Sequence, residues 1–197
     1  MFSLGVMILL IHVSFAAVIV GLYEGKKGDY RQGRARQPES VRSFKAFYIY
    51  LHIATPIIVV MSCLGYDRLA LYSHPAVMMI GTTISALGVA IFVGAKMRIG
   101  EEFAPCNDAY LPRDVIRDGV YKHVRHPIYA AFILFFLGIA ITTANPITLL
   151  NWLVLGAYYV RSARFEEKAL LEKFPVYEKY SKSTGRFIPR IVQSKND

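Results

Sequence analysis

Charged side chains are scarce in this chain of 197 residues: 19% are Asp, Glu, Lys or Arg, while 54% are hydrophobic. Soluble domains average about 25% charged residues. The two cysteines are too few for a disulfide framework, so the composition excludes a disulfide-rich secreted domain as well as a disordered or collagen-like chain. Long uncharged stretches also exclude a soluble enzyme with one buried core. The composition indicates an integral membrane protein.

Motifs for several other chemistries are missing as well. The chain has no glycine-rich loop, no G-x-S-x-G and no Cys–His pair, so nothing supports a covalent nucleophile. His123 and His126, taken with Glu166 and Glu167, lack the compact spacing of zinc ligands. No metal site is expected.

Five stretches without Asp, Glu, Lys or Arg are candidates to cross a membrane, which takes about 20 apolar residues. The first lacks a basic n-region and a cleavage site, so we expect a retained helix rather than a signal peptide. The last two form a hairpin, and its second limb should continue as helix into the cytosol until Phe174–Pro175 stops it. The predicted spans are residues 2–22, 47–66, 75–95, 128–143 and 146–162. The sequence therefore predicts an all-α membrane protein of five transmembrane helices with a cytoplasmic pocket, forming one domain over residues 1–197.

The third predicted span carries small residues at helical spacing. Gly81, Ser85 and Gly88 would lie on one side of that helix. Small residues let the backbones of two membrane helices come close together. We therefore expect a neighbouring helix to pack tightly against this stripe.

Basic residues are confined to a few segments. Of the 23 Lys and Arg residues, 22 lie within 23–46, 96–126 and 161–197. These segments alternate along the chain with loops that contain almost no basic residue, as the positive-inside rule requires. The net charge of +9 is thus explained by membrane topology and contact with membrane lipids, without nucleic-acid binding. The N-terminus is expected outside and the C-terminal tail in the cytosol.

Two polar clusters lie where the predicted spans meet the cytosol. In the first, residues 121–129, His126 is expected to cap a helix that begins at Pro127. The unpaired N–H groups of that first turn would suit an anionic group of a ligand. An interfacial belt of aromatic and basic residues is the alternative, but it does not explain why His123 and His126 occur three residues apart.

The second cluster, residues 161–168, lies in the helix that leaves the membrane. Arg164 and Glu167 are three residues apart and are expected to share a face. A solvated face with an intrahelical ion pair is the simpler alternative. Farther from this cluster, His12 and His52 lie inside the first two predicted spans, where each is either functional or hydrogen-bonded to a neighbouring helix.

Several short motifs follow one another in the second half of the chain. They are Gly119-Val120-Tyr121, Arg125-His126-Pro127-Ile128-Tyr129, Asn145-Pro146, Glu166-Glu167 with Leu170 following, Phe174, Tyr177, Tyr180 and Phe187-Ile188-Pro189. Their order and spacing resemble the isoprenylcysteine carboxyl methyltransferase family. The resemblance covers residues 113–190 and is more specific than a lone R-H-P-x-Y, which related membrane methyltransferases and sterol reductases also carry. Members of that family transfer the methyl group of S-adenosylmethionine to the carboxylate of a prenylated C-terminal cysteine.

The resemblance implies S-adenosylmethionine as cofactor and a lipid-linked, prenylcysteine-like substrate that enters from the bilayer. It also implies that an Arg holds the substrate carboxylate. The family usually has this Arg four residues before the first glutamate, where this chain has Ser162. We assign the catalytic roles to Arg164 and Glu167, with Arg161 as the other candidate for the carboxylate contact. The residues implied for the cofactor pocket are Val115, Ile116, Tyr121, His123, Val124, His126, Pro127, Ile128, Tyr129, Glu166 and Glu167.

Methyl transfer of this kind suits the residue types present. The sulfonium is an activated donor and a carboxylate is ionised at neutral pH, so positioning and desolvation suffice without a general base. Two alternatives belong to other classes of protein. One is a nicotinamide-dependent, sterol-type reductase that shares R-H-P-x-Y, and the other is a small membrane scaffold without enzymatic activity.

Overall fold

The computed structural model describes residues 50–55, 57–58, 71–72, 74–100 and 111–190. Every regular element within these residues is helical: a π-helical turn at Tyr50–Ala54, a 3₁₀ turn at Gly119–Lys122 and four α-helices. The α-helices are α1 (Pro75–Ile99), α2 (Pro127–Thr143), α3 (Pro146–Lys173) and α4 (Pro175–Ser183). The all-α prediction is confirmed for this part of the chain.

Several predictions fall on residues outside this description. They are the first predicted span at 2–22, most of the second at 47–66 and the basic segment 23–46. The same holds for the roles of His12 and of the His52 side chain.

Each of the four α-helices begins with a proline, which suits a first turn because its missing N–H is not needed there. α2 follows His126 as its cap, as predicted. α3 follows Asn145, whose side-chain oxygen accepts a hydrogen bond from the Ile147 N–H over 2.8 Å. α3 then continues to Lys173 and is capped by Phe174, which confirms the predicted long second limb of the hairpin.

α1 and α2 are antiparallel and pack closely through small residues. A Cβ atom on Gly81 would lie 2.7 Å from the carbonyl oxygen of Gly138, and one on Gly88 would lie 2.8 Å from the nitrogen of Phe135. The Ser85 hydroxyl donates to the Phe135 carbonyl oxygen over 3.0 Å. A larger side chain at either glycine would push the helices apart. The close approach predicted from this stripe of small residues is confirmed.

Within the described residues, α1 is the one helix that is long and apolar enough to span a membrane. Only five of its 25 residues are buried, and large apolar side chains such as Met79, Ile80 and Leu87 are exposed. The core helix of a soluble protein would bury such side chains. α2 is also apolar but has 17 residues, or about 25 Å at 1.5 Å per residue. The structure thus provides one candidate span by length and composition.

α4 and the loop before α2 pack against the second half of α3. The Tyr180 hydroxyl donates to the carbonyl oxygen of Tyr121 over 2.5 Å. Burial raises the pKa of Tyr180 to about 12, so this hydroxyl remains a donor at neutral pH. The buried side chains of this cluster are Leu111, Val115, Leu170, Tyr177 and Tyr180. The packing fixes α4 beside the 3₁₀ turn at Gly119–Lys122.

Charge distinguishes the two ends of the described bundle. One end contains the turn between α2 and α3, where residues 142–147 include no Asp, Glu, Lys or Arg. At this end the Leu71 N–H donates to the Ala144 carbonyl oxygen over 2.9 Å. At the other end, Arg98 at the end of α1 pairs with Asp118. The beginning of α2, the charged half of α3 and α4 lie at this same end. The polar side chains of the candidate site collect there.

Candidate active site

Glu167 lies in the charged half of α3, with its side chain buried under cationic groups from two other segments. Arg125, in the turn before α2, donates from Nε to Glu167 Oε1 over 2.9 Å. His126 Nε2 lies 3.2 Å from the same oxygen. Arg186, which follows α4, donates from Nη2 to Oε2 over 2.5 Å. One carboxylate therefore joins α3 to the turn before α2 and to the segment after α4.

The negative charge of Glu167 is stable despite its burial. Burial by itself would raise the pKa of Glu167, but hydrogen bonds from His126, Arg186 and Arg125 outweigh it and hold the pKa well below the ordinary value of 4.5. Because an ionised carboxylate can only accept, the His126 Nε2 carries the hydrogen in this contact. The three partners occupy both oxygens of Glu167 and leave this side chain little capacity for a ligand.

Glu166, the adjacent residue, faces different partners. Its Oε2 accepts a hydrogen bond from the Tyr129 hydroxyl over 3.0 Å and lies 3.7 Å from His126 Nδ1. The Glu166 side chain is 34% exposed, against 9% for Glu167. The partly exposed Glu166 carboxylate is therefore an acceptor that a hydrogen-bond donor of a ligand can reach.

Aromatic rings extend this site toward the core between α2 and α3. The rings of His126 and Tyr129 stack with their centroids 5.4 Å apart. Tyr129 stacks on Tyr159 at 5.3 Å, and Tyr159 stacks on Phe132 at 5.4 Å. Tyr159 is fully buried, so packing fixes the positions of these rings. The site combines a polar edge with a flat apolar wall, as small-molecule sites commonly do.

The backbone after α4 also pairs with the turn before α2. The Arg125 N–H donates to the Gly185 carbonyl oxygen over 2.9 Å, and the His126 N–H donates to the Arg186 carbonyl oxygen over 3.0 Å. Residues 184–190 are called the C-terminal segment below. Main-chain and side-chain contacts therefore hold this segment against the same turn.

Comparison with protein families relates the residues of this site to a known family. The model of the phospholipid methyltransferase family matches residues 76–176, which is just over half of the chain. This chain belongs to the phospholipid methyltransferase family. The matched region of this phospholipid methyltransferase family member contains Arg125, His126, Tyr129 and the Glu166–Glu167 pair, while the C-terminal segment lies outside it.

Several curated proteins are similar to parts of this family member. A protein-S-isoprenylcysteine O-methyltransferase from Schizosaccharomyces pombe is 32% identical over 109 residues, which cover 53% of this chain and 46% of that protein. The protein of the same name from Saccharomyces cerevisiae is 34% identical over 79 residues, covering 39% and 33%. A methanethiol S-methyltransferase from a Pseudomonas species is 34% identical over 77 residues, covering 39% and 29%. The chain thus matches less than half the length of each relative. The resemblance found in the motifs is confirmed as a family relationship.

The structure brings four of the predicted site residues into one group. His126, Tyr129, Glu166 and Glu167 contact one another directly. The other predicted pocket residues that are buried or half-buried are Val115, Ile116, Tyr121, Val124, Pro127 and Ile128. The role of each residue toward a cofactor stays a prediction.

His123 and Arg164 lie outside this group, and both side chains are exposed. The structure differs here from the shared face expected for Arg164 and Glu167. Glu167 points into the protein and binds its three partners from other segments, whereas within the described residues it forms no ion pair with Arg164. The other candidate, Arg161, is also exposed and lies over the Phe165 ring, 5.3 Å from its centroid. Whether either Arg contacts the substrate stays a prediction.

Two residues of the site were not predicted from the sequence: Arg125, which an interfacial belt would explain, and Arg186. The sequence contains only an indirect signal for these two arginines. Adjacent positions of a helix point about 100° apart, so one of the two glutamates can be turned toward the protein, and a buried carboxylate requires cationic partners. Many Lys and Arg residues could meet that requirement, so the pattern does not identify the two that do.

Proposed function

We propose that this protein is a membrane-embedded, S-adenosylmethionine-dependent methyltransferase whose acceptor is the carboxylate of a lipid-linked, prenylcysteine-like substrate. One observation carries the proposal: in a member of the phospholipid methyltransferase family, residues 125–129 and the Glu166–Glu167 pair meet at the charged end of the helices. The two relatives named isoprenylcysteine O-methyltransferase support a carboxyl acceptor. The relative named methanethiol S-methyltransferase supports methyl transfer but suggests a different acceptor.

The residues around Glu166 fit this cofactor. S-adenosylmethionine has an amino group and ribose hydroxyls that donate hydrogen bonds, and the Glu166 carboxylate would accept from such a donor. The stacked rings of His126 and Tyr129 would form an aromatic border beside its base. When bound, S-adenosylmethionine supplies a methyl group on a sulfonium, which a carboxylate oxygen accepts directly while the S–C bond breaks.

The protein's own residues would supply orientation. Glu167 keeps Arg125 and the His126 ring in place, which fixes the ring edge that faces Glu166. An exposed Arg at 164 or 161 would hold the substrate carboxylate by charge-assisted hydrogen bonds. A terminal carboxyl has a pKa of about 3.3–3.7 and is ionised at neutral pH, so no side chain has to remove a proton. Catalysis would rest on positioning and desolvation.

We further propose five spans, with the N-terminus outside and the active site at the cytosolic face. The exposed apolar side chains of α1 support contact with lipid, and so do Leu150 and Leu153 on α3. The basic residues of the described segments lie at the end of the bundle that holds the site, in agreement with the positive-inside rule. A site at this level would receive the cofactor from the cytosol and the lipid-linked substrate from the bilayer.

Methyl transfer by the purified full-length protein in lipid vesicles tests the proposal. The donor is S-adenosylmethionine with a tritiated methyl group, the acceptor is a farnesylated cysteine with a free carboxylate, and its methyl ester is the matched control. We expect base-labile label on the free acid and none on the ester. A reductase or a scaffold would transfer no label to any acceptor. Label found only on a thiol or an amine of a lipid extract would contradict the carboxyl acceptor.

A further inference from the structure

We propose that Arg186 is a positioning residue for the cofactor site. The other residues of this site lie within residues 76–176, which the family model matches, and the C-terminal segment completes it. The inference rests on the proposed function. Arg186 would act through Glu167 and His126 without touching the cofactor itself. The contacts of Arg186 link the C-terminal segment to the cofactor site in three steps.

The first step is the ion pair between Arg186 and Glu167. Arg186 donates from Nη2 to Oε2 over 2.5 Å and from Nε to both Oε1 and Oε2 over 3.0 Å. The Arg186 side chain is 34% exposed, so the pair is partly shielded from water. A planar fork that contacts both oxygens fixes the orientation of a carboxylate, which a single point charge does not. Arg186 therefore determines how the Glu167 carboxylate is turned.

The second step leads from Glu167 to His126. The Oε1 atom that accepts from Arg186 is also the atom 3.2 Å from His126 Nε2. The opposite nitrogen of the same ring faces Glu166. The backbone provides a second route, because the His126 N–H donates to the Arg186 carbonyl oxygen over 3.0 Å. A change at Arg186 would thus reach His126, and through it Glu166, by both routes.

The third step is the conformation of the C-terminal segment. A Cβ atom on Gly185 would collide with the carbonyl oxygen of Ile188 and would lie 3.1 Å from the nitrogen of Arg190. Only glycine allows the chain to turn back on itself so closely. Two residues further on, the ring of Phe187 lies 6.1 Å from that of His126. The segment is therefore built into the site with a defined shape, and Arg186 is held in place.

Three variants of the full-length protein separate a positioning role from a merely stabilising one. Arg186→Gln removes the fork and its charge, and Arg186→Lys keeps the charge without the fork. Arg190→Gln is the matched control because it removes the same charge from the same exposed segment, where Arg190 contacts the Lys182 carbonyl oxygen. The measurements are a calorimetric titration with S-adenosylhomocysteine, well below each unfolding midpoint, and the KM for S-adenosylmethionine together with kcat.

We expect Arg186→Gln to weaken S-adenosylhomocysteine binding about tenfold or more. Arg186→Lys should recover part of this loss in affinity. Arg190→Gln should bind within about twofold of wild type. The KM should rise by a larger factor than kcat falls. If Arg186→Gln does not fold, Arg186→Lys carries the test, with binding about threefold weaker than wild type.

The possible failures are distinguishable. Folded Arg186 variants that bind like Arg190→Gln would overturn the positioning role and leave the proposed function intact. A wild-type protein that binds no S-adenosylhomocysteine would overturn the proposed function, and this inference with it. Wild-type binding without transfer to the prenylcysteine acid would contradict only the proposed acceptor, provided that Arg186→Gln still weakens binding.

Discussion

Arg125 donates a hydrogen bond from Nε to Oε1 of Glu167 over 2.9 Å, across 42 positions of sequence. The contact gives two adjacent glutamates different environments. Glu167 is buried among cationic partners, whereas Glu166 stays half-exposed beside the Tyr129 hydroxyl. From this division we expect Glu167 to organise the site and Glu166 to face the ligand.

The low pKa of Glu167 predicts how stability depends on pH. Because the folded-state pKa lies below the ordinary value of 4.5, the ionised carboxylate contributes stability above about pH 4.5 and loses it as the pH falls toward the folded-state value. Wild type should therefore exceed Glu167→Gln in thermal midpoint at neutral pH, and this difference should shrink below about pH 4.5. Thermal unfolding followed by circular dichroism measures it.

The control for this experiment is Glu178→Gln, which removes an exposed carboxylate paired with Lys182. Exposed ion pairs contribute little, so this variant should follow wild type throughout the range. A difference between wild type and Glu167→Gln that stays constant down to about pH 3 would contradict the linkage.

The close packing of α1 on α2 predicts opposite effects for two glycine substitutions. A Cβ atom at Gly138 would lie 2.5 Å from the Ser85 nitrogen, while one at Gly156 meets no heavy atom of the described residues within 4 Å. Gly138→Ala should lower the free energy of unfolding by about 1–3 kcal/mol. Gly156→Ala should be neutral or stabilise by up to about 1 kcal/mol through helix propensity. Unfolding titrations in mixed micelles measure both, and equal effects would show that α1 and α2 are not in close contact.

Arg164 and Arg161 can be separated by conservative substitution. If Arg164 holds the substrate carboxylate, Arg164→Lys should keep the affinity for S-adenosylhomocysteine but lose methyl transfer, because an ammonium cannot reproduce the planar fork. Arg161→Lys then serves as the control and should keep both. The reverse result assigns the contact to Arg161. Unchanged rates in both variants would mean that neither residue holds the substrate.

The proposed orientation predicts which loops an impermeant thiol reagent can reach in intact cells. Cys63 and Cys106 are first replaced, so that one introduced cysteine is the only reporter. A cysteine within residues 31–36 should be protected, and one near residue 67 should react; both places lie outside the described residues. The opposite pattern would contradict five spans with an external N-terminus.

Local sequence signals predicted much of the fold. Asn145–Pro146 identified the start of α3 and Phe174 its end, and the small residues of α1 indicated a close contact with a neighbouring helix that the sequence did not name. Each of these signals lies within one or two turns of chain. The environment of Glu167 could not be predicted in this way. Adjacent helix positions point about 100° apart, so the pattern does not say which glutamate is buried. Its partners lie 42 and 19 positions away, and only tertiary packing brings them together.

A calorimetric titration of S-adenosylhomocysteine into the full-length protein tests whether Glu166 faces the cofactor. The variants are Glu166→Gln and, as the matched control, Glu172→Gln, which changes an exposed glutamate of the same helix. We expect wild type and Glu172→Gln to bind alike, and Glu166→Gln to bind about tenfold or more weakly, since a hydrogen bond to a charged group contributes about 1.5–3 kcal/mol. Equal binding by Glu166→Gln and wild type would contradict the claim that Glu166 faces the cofactor.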